Sequence, residues 1–106
     1  MVIDIWATWC GPCVASMTKI NGLKEKYNIE FYSISIDDKI EKVQKFVLNH
    51  PEYTWPIVHA GKKTWLDEYL NIKVIPAYFI VDKNGVIVSS STGNDLEREL
   101  KRIHKK

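Results

Sequence analysis

The sequence predicts a single α/β domain in which a central mixed β-sheet is flanked by helices. Three observations indicate this class. Short apolar runs rich in β-branched and aromatic residues alternate with segments whose apolar residues recur every three or four positions. An Asn-Gly pair near the carboxyl end predicts a β-hairpin, which adds antiparallel pairing to the sheet. The length of 106 residues fits one core and one domain.

The first half of the chain predicts two consecutive strand–helix units. Val2–Ala7 is an apolar strand, and Val14–Tyr27 has helical spacing. Glu30–Ile36 is a second strand, followed by a helix that ends near Asn49, before His50-Pro51. Right-handed crossovers make the two strands parallel neighbours. The predicted inward faces of the two helices are Val14, Met17, Ile20, Leu23 and Tyr27, and Ile40, Val43, Phe46 and Val47.

The second half predicts a hairpin and a closing helix. Thr54–His59 is a short extended piece, and Lys62–Leu70 is a short helix. Strands Ala77–Val81 and Val86–Ser90 flank the Asp82–Gly85 turn, for which Asn-Gly predicts a primed type with positive φ angles. A final helix starts near Asn94 and turns Leu96, Leu100 and Ile103 inward. With the four main strands numbered along the chain, we expect the order 2-1-3-4 and helices on both faces.

The only two cysteines, Cys10 and Cys13, lie at the junction between the first strand and the first helix. Unpaired N–H groups and a partial positive charge at a helix N-terminus favour a thiolate over a thiol. Cys10 is therefore the predicted nucleophile, with a pKa below the ordinary value of about 8.5, and it should lie at the exposed mouth of the helix. Cys13, one turn further in, is the more buried, resolving thiol.

Other uses of the two cysteines fit less well. A bridge that closes so small a loop constrains the unfolded chain little, so a purely structural disulfide is disfavoured. A zinc site needs two further ligands, and the candidates are three scattered histidines, His50, His59 and His104. Haem attachment needs a histidine directly after Cys13, where Val14 stands. We expect neither a metal nor another cofactor.

Composition excludes several function classes. The net charge is +2, and no basic cluster is interleaved with aromatic residues, so nucleic-acid binding is not expected. No apolar run reaches the length of a membrane span, so we expect no membrane contact by this chain.

Trp9-Cys10-Gly11-Pro12-Cys13 is identical to the active-site motif of thioredoxins, and the chain resembles the thioredoxin fold along nearly its whole length. Val74-Ile75-Pro76 before a strand extends that resemblance. Ala7-Thr8-Trp9 before the motif, the long insert at about Asp37–Val74 and the ending that runs from Phe79 to Gly85 resemble the TlpA-like, or ResA-like, branch. Members of that branch are mostly tethered or exported thiol-disulfide oxidoreductases of the bacterial envelope. The resemblance thus implies a periplasmic or envelope location, with the cytoplasm as the alternative.

Two departures from the family pattern carry expectations. The element that usually precedes the first strand is missing, so the chain is expected to be a fragment or truncated form. Without that element, the Glu30–Ile36 strand would be a bare sheet edge, on which we base the hypothesis of an edge-strand dimer. Ser33 and Ser35 stand where thioredoxin places a lysine near its buried acid, so that charge pairing is expected to be absent.

The buried acid is Asp4, six residues before Cys10 on the first strand. A lone carboxylate in an apolar strand is costly, and burial raises its pKa. Together with the resemblance, this favours a role as proton acceptor for Cys13, through water, over a strand-end acid that meets solvent. Asp37, Asp38 and Glu41 are candidates for the acid that ResA-like proteins carry near the site, but a helix cap is the favoured interpretation of this cluster.

Five residues are predicted to contact the substrate. Pro12 lacks an N–H in the first helical turn, where that donor has no partner, and Gly11 leaves room for a substrate backbone. The resemblance implies that Pro76 follows a cis peptide bond and packs against the cysteines, so that the Ile75 backbone can pair with an extended substrate. Trp9 forms an exposed apolar lip. Trp6, by contrast, is expected to be plain core.

The favoured function is thiol–disulfide exchange with protein substrates, using an upstream electron donor. Gly-Pro between the cysteines occurs in reductants of the family, so the resemblance favours the reducing direction. A peroxidase-type redoxin is one alternative, disfavoured because no Pro-x-x-x-Thr-x-x-Cys pattern precedes Cys10. A non-catalytic thioredoxin-fold binding module is another.

Overall fold

The computed structural model describes residues 1–61, 72 and 74–104, except for the side chains of Asn94 and His104. The helix predicted over Lys62–Leu70 lies outside the described residues. The described helices are α1 (Gly11–Tyr27), α2 (Ile40–Asn49) and α3 (Leu96–His104), the last of which follows a 3₁₀ turn at Gly93–Asp95. The strands are β1 (Val2–Trp6), β2 (Phe31–Ser35), β3 (Ile57–His59), β4 (Ala77–Val81) and β5 (Ile87–Thr92).

The five strands form one mixed sheet in the order β3-β2-β1-β4-β5. β1 pairs in parallel with β2 and antiparallel with β4, and β5 returns antiparallel to β4. The predicted order of the four main strands is thus correct, and β3 adds a fifth strand parallel to β2. The expectation that β2 is a bare edge is wrong, because β3 pairs with Ser33–Ser35. The edge-strand dimer loses its structural basis for the same reason.

β1 lies at the centre of the sheet, and its side chains alternate between two buried clusters. Val2 and Trp6 belong to the larger cluster, to which α1, α2 and α3 all contribute. Ile5 belongs to a second cluster with Ala77 and Phe79. The described helices therefore share one face, and helices on both faces remain a prediction that depends on residues 62–70.

The stripe predicted for α1 faces the core: Met17, Ile20 and Tyr27 are buried, and Val14 and Leu23 are partly buried against the same cluster. On α2 the predicted inward face is only partly correct. Val43 is buried, but Ile40 and Val47 are exposed. A 3.6-residue period places these residues on one side of the helix, yet α2 lies at the β3 edge of the sheet, where the sheet is too narrow to cover the whole stripe.

The hairpin between β4 and β5 is present, but its turn is not of the primed type. Gly85 N donates to Asp82 O at 3.1 Å, and Gly85 has a φ of +80°, whereas Asn84 keeps a negative φ. This pattern matches a type I turn followed by a left-handed glycine. The Asp82 Oδ1 atom accepts the N–H groups of Asn84 and Val86 at 2.8 and 3.0 Å, which stabilises that geometry.

In the part of the chain that the structure describes, no helix has both the length and the apolar character needed to cross a bilayer.

Truncation of Ile20 to alanine tests the packing of α1. Ile20 is 1% exposed, so we expect Ile20→Ala to lower the free energy of unfolding by about 2–5 kcal/mol through lost burial and a residual cavity. Leu48→Ala is the matched control, because Leu48 on α2 is 81% exposed. The control should change stability by less than about 0.5 kcal/mol. Denaturant unfolding of the oxidised proteins measures both, and equal losses in the two variants would contradict this packing.

Candidate active site

Cys10 and Cys13 are joined by a disulfide at the junction between β1 and α1. The chain leaves the sheet at Trp6, turns with a hydrogen bond from Cys10 N to Ala7 O, and enters the helix at Gly11. Cys10 is the N-cap residue, and Cys13 lies in the first turn, with 5.2 Å between the two Cα atoms. The strand therefore delivers the cysteine pair to the helix N-terminus, as the sequence predicts.

The two sulfur atoms have different surroundings. Cys10 Sγ accepts a hydrogen bond from Cys13 N at 3.2 Å, so one unpaired N–H group of the helix is directed at it. Cys10 is 6% exposed and Cys13 is 1% exposed. Cys10 is thus the more accessible of the two, although it is less open than the predicted exposed mouth. Helix N–H groups and the helix dipole both favour negative charge at Cys10.

The loop before β4 meets the cysteines from the opposite side. Ile75 O lies 3.9 Å from Cys10 Sγ, and since a disulfide sulfur carries no proton, this is a van der Waals contact. The Ile75–Pro76 peptide bond is cis, and Pro76 is buried. The structure therefore brings Ile75 and Pro76 together with the cysteine pair.

The surface beside Cys10 combines apolar and charged side chains. Trp9 is 65% exposed, in agreement with the predicted lip, while Trp6 is fully buried, as expected of a core residue. Gly11 and Pro12 are exposed, and a Cβ atom added at Gly11 would meet open space. A groove of about 350 Å³ beside the indole is lined by Trp9, Ile36, Asp38 and Lys42.

Asp4 is buried within β1, with only 2% of its surface exposed. It lies between Val2 and Trp6 on the sheet face covered by α1, and Cys13 belongs to the same buried cluster as those two residues. Ser33 Oγ donates to Asp4 Oδ2 at 2.8 Å. Burial raises the pKa of Asp4 from 3.8 to about 7, and the Ser33 hydrogen bond opposes part of that rise. This excludes the interpretation of Asp4 as a strand-end acid in solvent.

Asp37 is a second buried carboxylate, and it fixes the segment that leads into the cysteine motif. Its two oxygens accept hydrogen bonds from Thr8 N, at 3.0 and 3.3 Å, and from Thr8 Oγ1, at 2.6 Å. Ser35 Oγ also donates to Asp37 Oδ2. The carbonyl oxygen of Asp37 lies 2.7 Å from His59 Nε2, on the neighbouring strand β3. These contacts tie β2 and β3 to the turn before Cys10.

The helix cap predicted for this cluster is wrong. The N-cap of α2 is Lys39, and no side chain caps it. Asp37 is directed back across the sheet to Thr8, and Asp38 forms an exposed ion pair with Lys42 at 3.0 Å. Sequence reasoning missed the Asp37–Thr8 contact because it joins residues 29 positions apart, whereas a capping signal is local.

No cluster of three or more histidine, cysteine, aspartate or glutamate side chains that could hold a metal ion occurs among residues 1–61, 72 and 74–104.

A sequence model of the family described as Thioredoxin-like matches residues 1–87. The chain belongs to the thioredoxin-like family. The thiol-disulfide oxidoreductase ResA of Geobacillus kaustophilus is 32% identical over 95% of the chain. That alignment covers 61% of the ResA sequence, so the chain spans about three fifths of the relative's length.

Solved structures of thioredoxin-like proteins have the same fold. One from Chlorobium tepidum, assigned as a DsbE thiol:disulfide interchange protein, superposes with a TM-score of 0.82 at 24% identity, covering 97% of this chain and 78% of that one. A thiol-disulfide oxidoreductase from Bacteroides fragilis gives a TM-score of 0.76 at 21% identity, covering 96% and 79% of the two chains.

Replacement of Asp37 tests its role in holding the Thr8 turn. Asp37→Ala leaves the partly buried donors of Thr8 and the buried hydroxyl of Ser35 without their acceptor, and a buried unsatisfied group costs about 1–3 kcal/mol. We expect a total loss of about 3 kcal/mol or more in the free energy of unfolding. Asp38→Ala is the neighbouring control and should cost less than about 1 kcal/mol, because it removes only an exposed ion pair. Indistinguishable denaturant midpoints would refute this role.

Burial of Asp4 predicts an unusual dependence of stability on pH. The folded-state pKa of about 7 exceeds the ordinary value of 3.8, so the folded state binds the proton more tightly than the unfolded state. Ionisation of Asp4 therefore costs no stability below pH 4. Its cost grows as the pH rises from about 4 to 7 and then levels off, at a magnitude on the order of 4 kcal/mol.

Asp4→Asn removes this titration, so the variant should gain stability relative to wild type as the pH rises from 4 to 7. Denaturant unfolding of the oxidised proteins across that range measures the difference. Asp38→Asn is the control and should differ from wild type by a nearly constant amount over this range, since Lys42 lowers the pKa of Asp38 and its ion pair is lost only as the pH falls below about 4. A constant difference between Asp4→Asn and wild type would mean that Asp4 titrates normally.

Proposed function

We propose that this chain catalyses thiol–disulfide exchange, with Cys10 as the nucleophile and Cys13 as the resolving thiol. The observation that carries this proposal is the disulfide at the N-cap of α1, in which the more accessible sulfur, that of Cys10, accepts a helix N–H group. Such a position lowers the pKa of a cysteine thiol and leaves it reachable. The names of the ResA relatives support the same chemistry.

The proposed reaction has two exchange steps. The reduced Cys10 thiolate attacks one sulfur of a substrate disulfide, forming a mixed disulfide and releasing the other substrate sulfur as a thiolate that takes up a proton. Cys13 then gives its proton to Asp4, and its thiolate attacks Cys10 Sγ. The second substrate sulfur leaves as a thiolate, the Cys10–Cys13 disulfide forms, and two electrons have passed to the substrate.

The surroundings of Cys10 support an extended polypeptide as the substrate. The Ile75 carbonyl group beside the sulfur is an acceptor for a backbone N–H of the substrate, and Trp9 offers an exposed apolar face next to it. Gly11 and Pro12 are exposed and leave the surface beside Cys10 open to a substrate backbone. Pro76 is buried beneath this surface. Protein disulfides fit this surface, and an upstream donor must return two electrons to the Cys10–Cys13 pair after each turnover.

We further propose that the chain acts as a reductant in the bacterial envelope. The Gly11-Pro12 pair between the cysteines supports the direction, through the resemblance to reducing members of the family. The ResA and DsbE names of the similar proteins support the location. Equilibration of the Cys10/Cys13 pair against glutathione tests the direction. A strongly reducing potential is expected, and an oxidising one would reverse the assignment.

Cysteine variants test the exchange mechanism directly. In insulin reduction driven by dithiothreitol, Cys10→Ser should lose all acceleration, because no nucleophile remains. When reduced Cys13→Ser is mixed with insulin without dithiothreitol, it should stop after one step and accumulate a mixed disulfide with insulin, visible by mass spectrometry. Wild-type speed in Cys10→Ser would reject the proposal. Peroxide consumption without reduction of a protein disulfide would favour the peroxidase alternative, and an inert wild type would favour a binding module.

A further inference from the structure

Asp4 is the end of a buried chain of hydrogen bonds that begins at an aromatic residue. Trp55 Nε1 donates to Ser33 Oγ at 2.8 Å, and Ser33 Oγ donates to Asp4 Oδ2 at 2.8 Å. Trp55 and Ser33 are both buried. Because the indole N–H occupies an acceptor position on the Ser33 hydroxyl, the serine proton is directed to the carboxyl group. Bonds in such chains polarise one another in a low-dielectric interior.

Trp55 is held firmly at the start of this chain. Ser33 N donates to Pro56 O at 3.0 Å, next to the point where β3 begins to pair with β2. Asn21 on α1 donates to the Glu52 carbonyl group at 2.7 Å, which fixes the segment that leads to Trp55. The indole packs against Tyr53 with 5.0 Å between ring centroids. The donor is therefore placed by the sheet and by α1 together.

The two oxygens of Asp4 are made unequal by this arrangement. Oδ2 is bound to Ser33, whereas Oδ1 has no hydrogen-bond partner among the described residues. Within the described part of the chain, the titratable groups on the elements that pack around Asp4 are Tyr78 from β4, its partner in the sheet register, and Cys13 from α1. Burial and the charge of Asp4 raise the pKa of Tyr78 to about 12, so Tyr78 stays neutral near pH 7. Lys24 lies over the outer side of the Trp55 ring, 5.7 Å from its centroid.

We propose that Ser33 and Trp55 are positioning residues that hold Asp4 Oδ2 and leave Oδ1 to accept the proton of Cys13. This inference rests on the proposed function. It assigns to Ser33 and Trp55 control over the pH range in which Cys13 attacks the mixed disulfide. The proton moves from Cys13 Sγ through water to Asp4 Oδ1, and the resulting Cys13 thiolate breaks the mixed disulfide at Cys10. The neutral Trp55–Ser33 pair replaces a charged partner for Asp4, because the Ser33 hydrogen bond stabilises the ionised carboxylate.

Two-phase reaction with the aromatic disulfide 5,5′-dithiobis(2-nitrobenzoate) measures the resolving step. Reduced protein releases one coloured thiolate when Cys10 attacks and a second when Cys13 attacks Cys10, so stopped-flow absorbance separates the steps. We expect Ser33→Ala to make Asp4 about a tenfold weaker acid, because the carboxylate loses its hydrogen bond. The second phase should then slow about fivefold at pH 7 and recover near pH 9, with the first phase unchanged.

Trp55→Phe keeps the ring but lacks the N–H group, and it should move the second phase in the same direction as Ser33→Ala. Ser35→Ala is the matched control, because Ser35 is buried on the same strand but donates to Asp37. Its second phase should keep the wild-type pH profile. Carbon-13 NMR titration of the Asp4 carboxyl group in the oxidised proteins should show the same order of pKa values, independently of any exchange reaction.

Several outcomes would overturn the inference. A second phase that slows equally at every pH in Ser33→Ala indicates a merely structural loss, and an unchanged Asp4 titration removes the positioning role. A shifted titration with an unshifted second phase means that Asp4 does not serve Cys13. A different result would reject the proposed function, namely that Cys10→Ser releases coloured thiolate as fast as wild type does.

Discussion

The placement of Cys10 at the N-cap of α1 is the constraint on which the rest of the site depends. β1 is the central strand, paired on both edges and packed on both faces, so the point where the chain leaves the sheet cannot move. From there three residues lead to Cys10, and Asp37 holds the first part of this turn through the backbone and side chain of Thr8. The strand, the turn and the helix N-terminus together direct an N–H group at one sulfur and enclose the other.

The buried core next to the cysteine pair contains polar side chains. A carboxyl group and two serine hydroxyls lie among apolar side chains on the face covered by α1, and each hydroxyl serves a different carboxylate. Ser33 serves Asp4, below the cysteine pair, and Ser35 serves Asp37, beside the turn. Because side chains alternate along β2, Ser33 and Ser35 lie on the same face and supply hydrogen-bond donors to both Asp4 and Asp37. Neutral donors avoid the desolvation cost that a buried lysine would add.

Much of the fold and the centre of the site follow from local sequence signals. The apolar run before Cys10, the helical period after it and the Asn-Gly turn each specify their element, because the determining interactions lie within a few residues. The role of Asp37 and the pairing of β3 were not predictable in the same way. The partner of Asp37 is Thr8, which lies 29 positions away in the turn after β1. The extended piece predicted at Thr54–His59 contains β3, but no local signal indicates that it pairs in parallel with β2. The turn at Asp82–Gly85 differs because the Asp82 side chain stabilises the type I form.

Titration of the Cys10 thiol in the reduced Cys13→Ser variant tests the central claim most directly. Thiolate absorbance near 240 nm follows Cys10 alone in this variant, because the chain has no other cysteine. If the helix N-terminus stabilises the thiolate, Cys10 titrates clearly below the ordinary value of about 8.5, towards 7. A Cys10 pKa at or above 8.5 would show that the junction of β1 and α1 does not activate the sulfur.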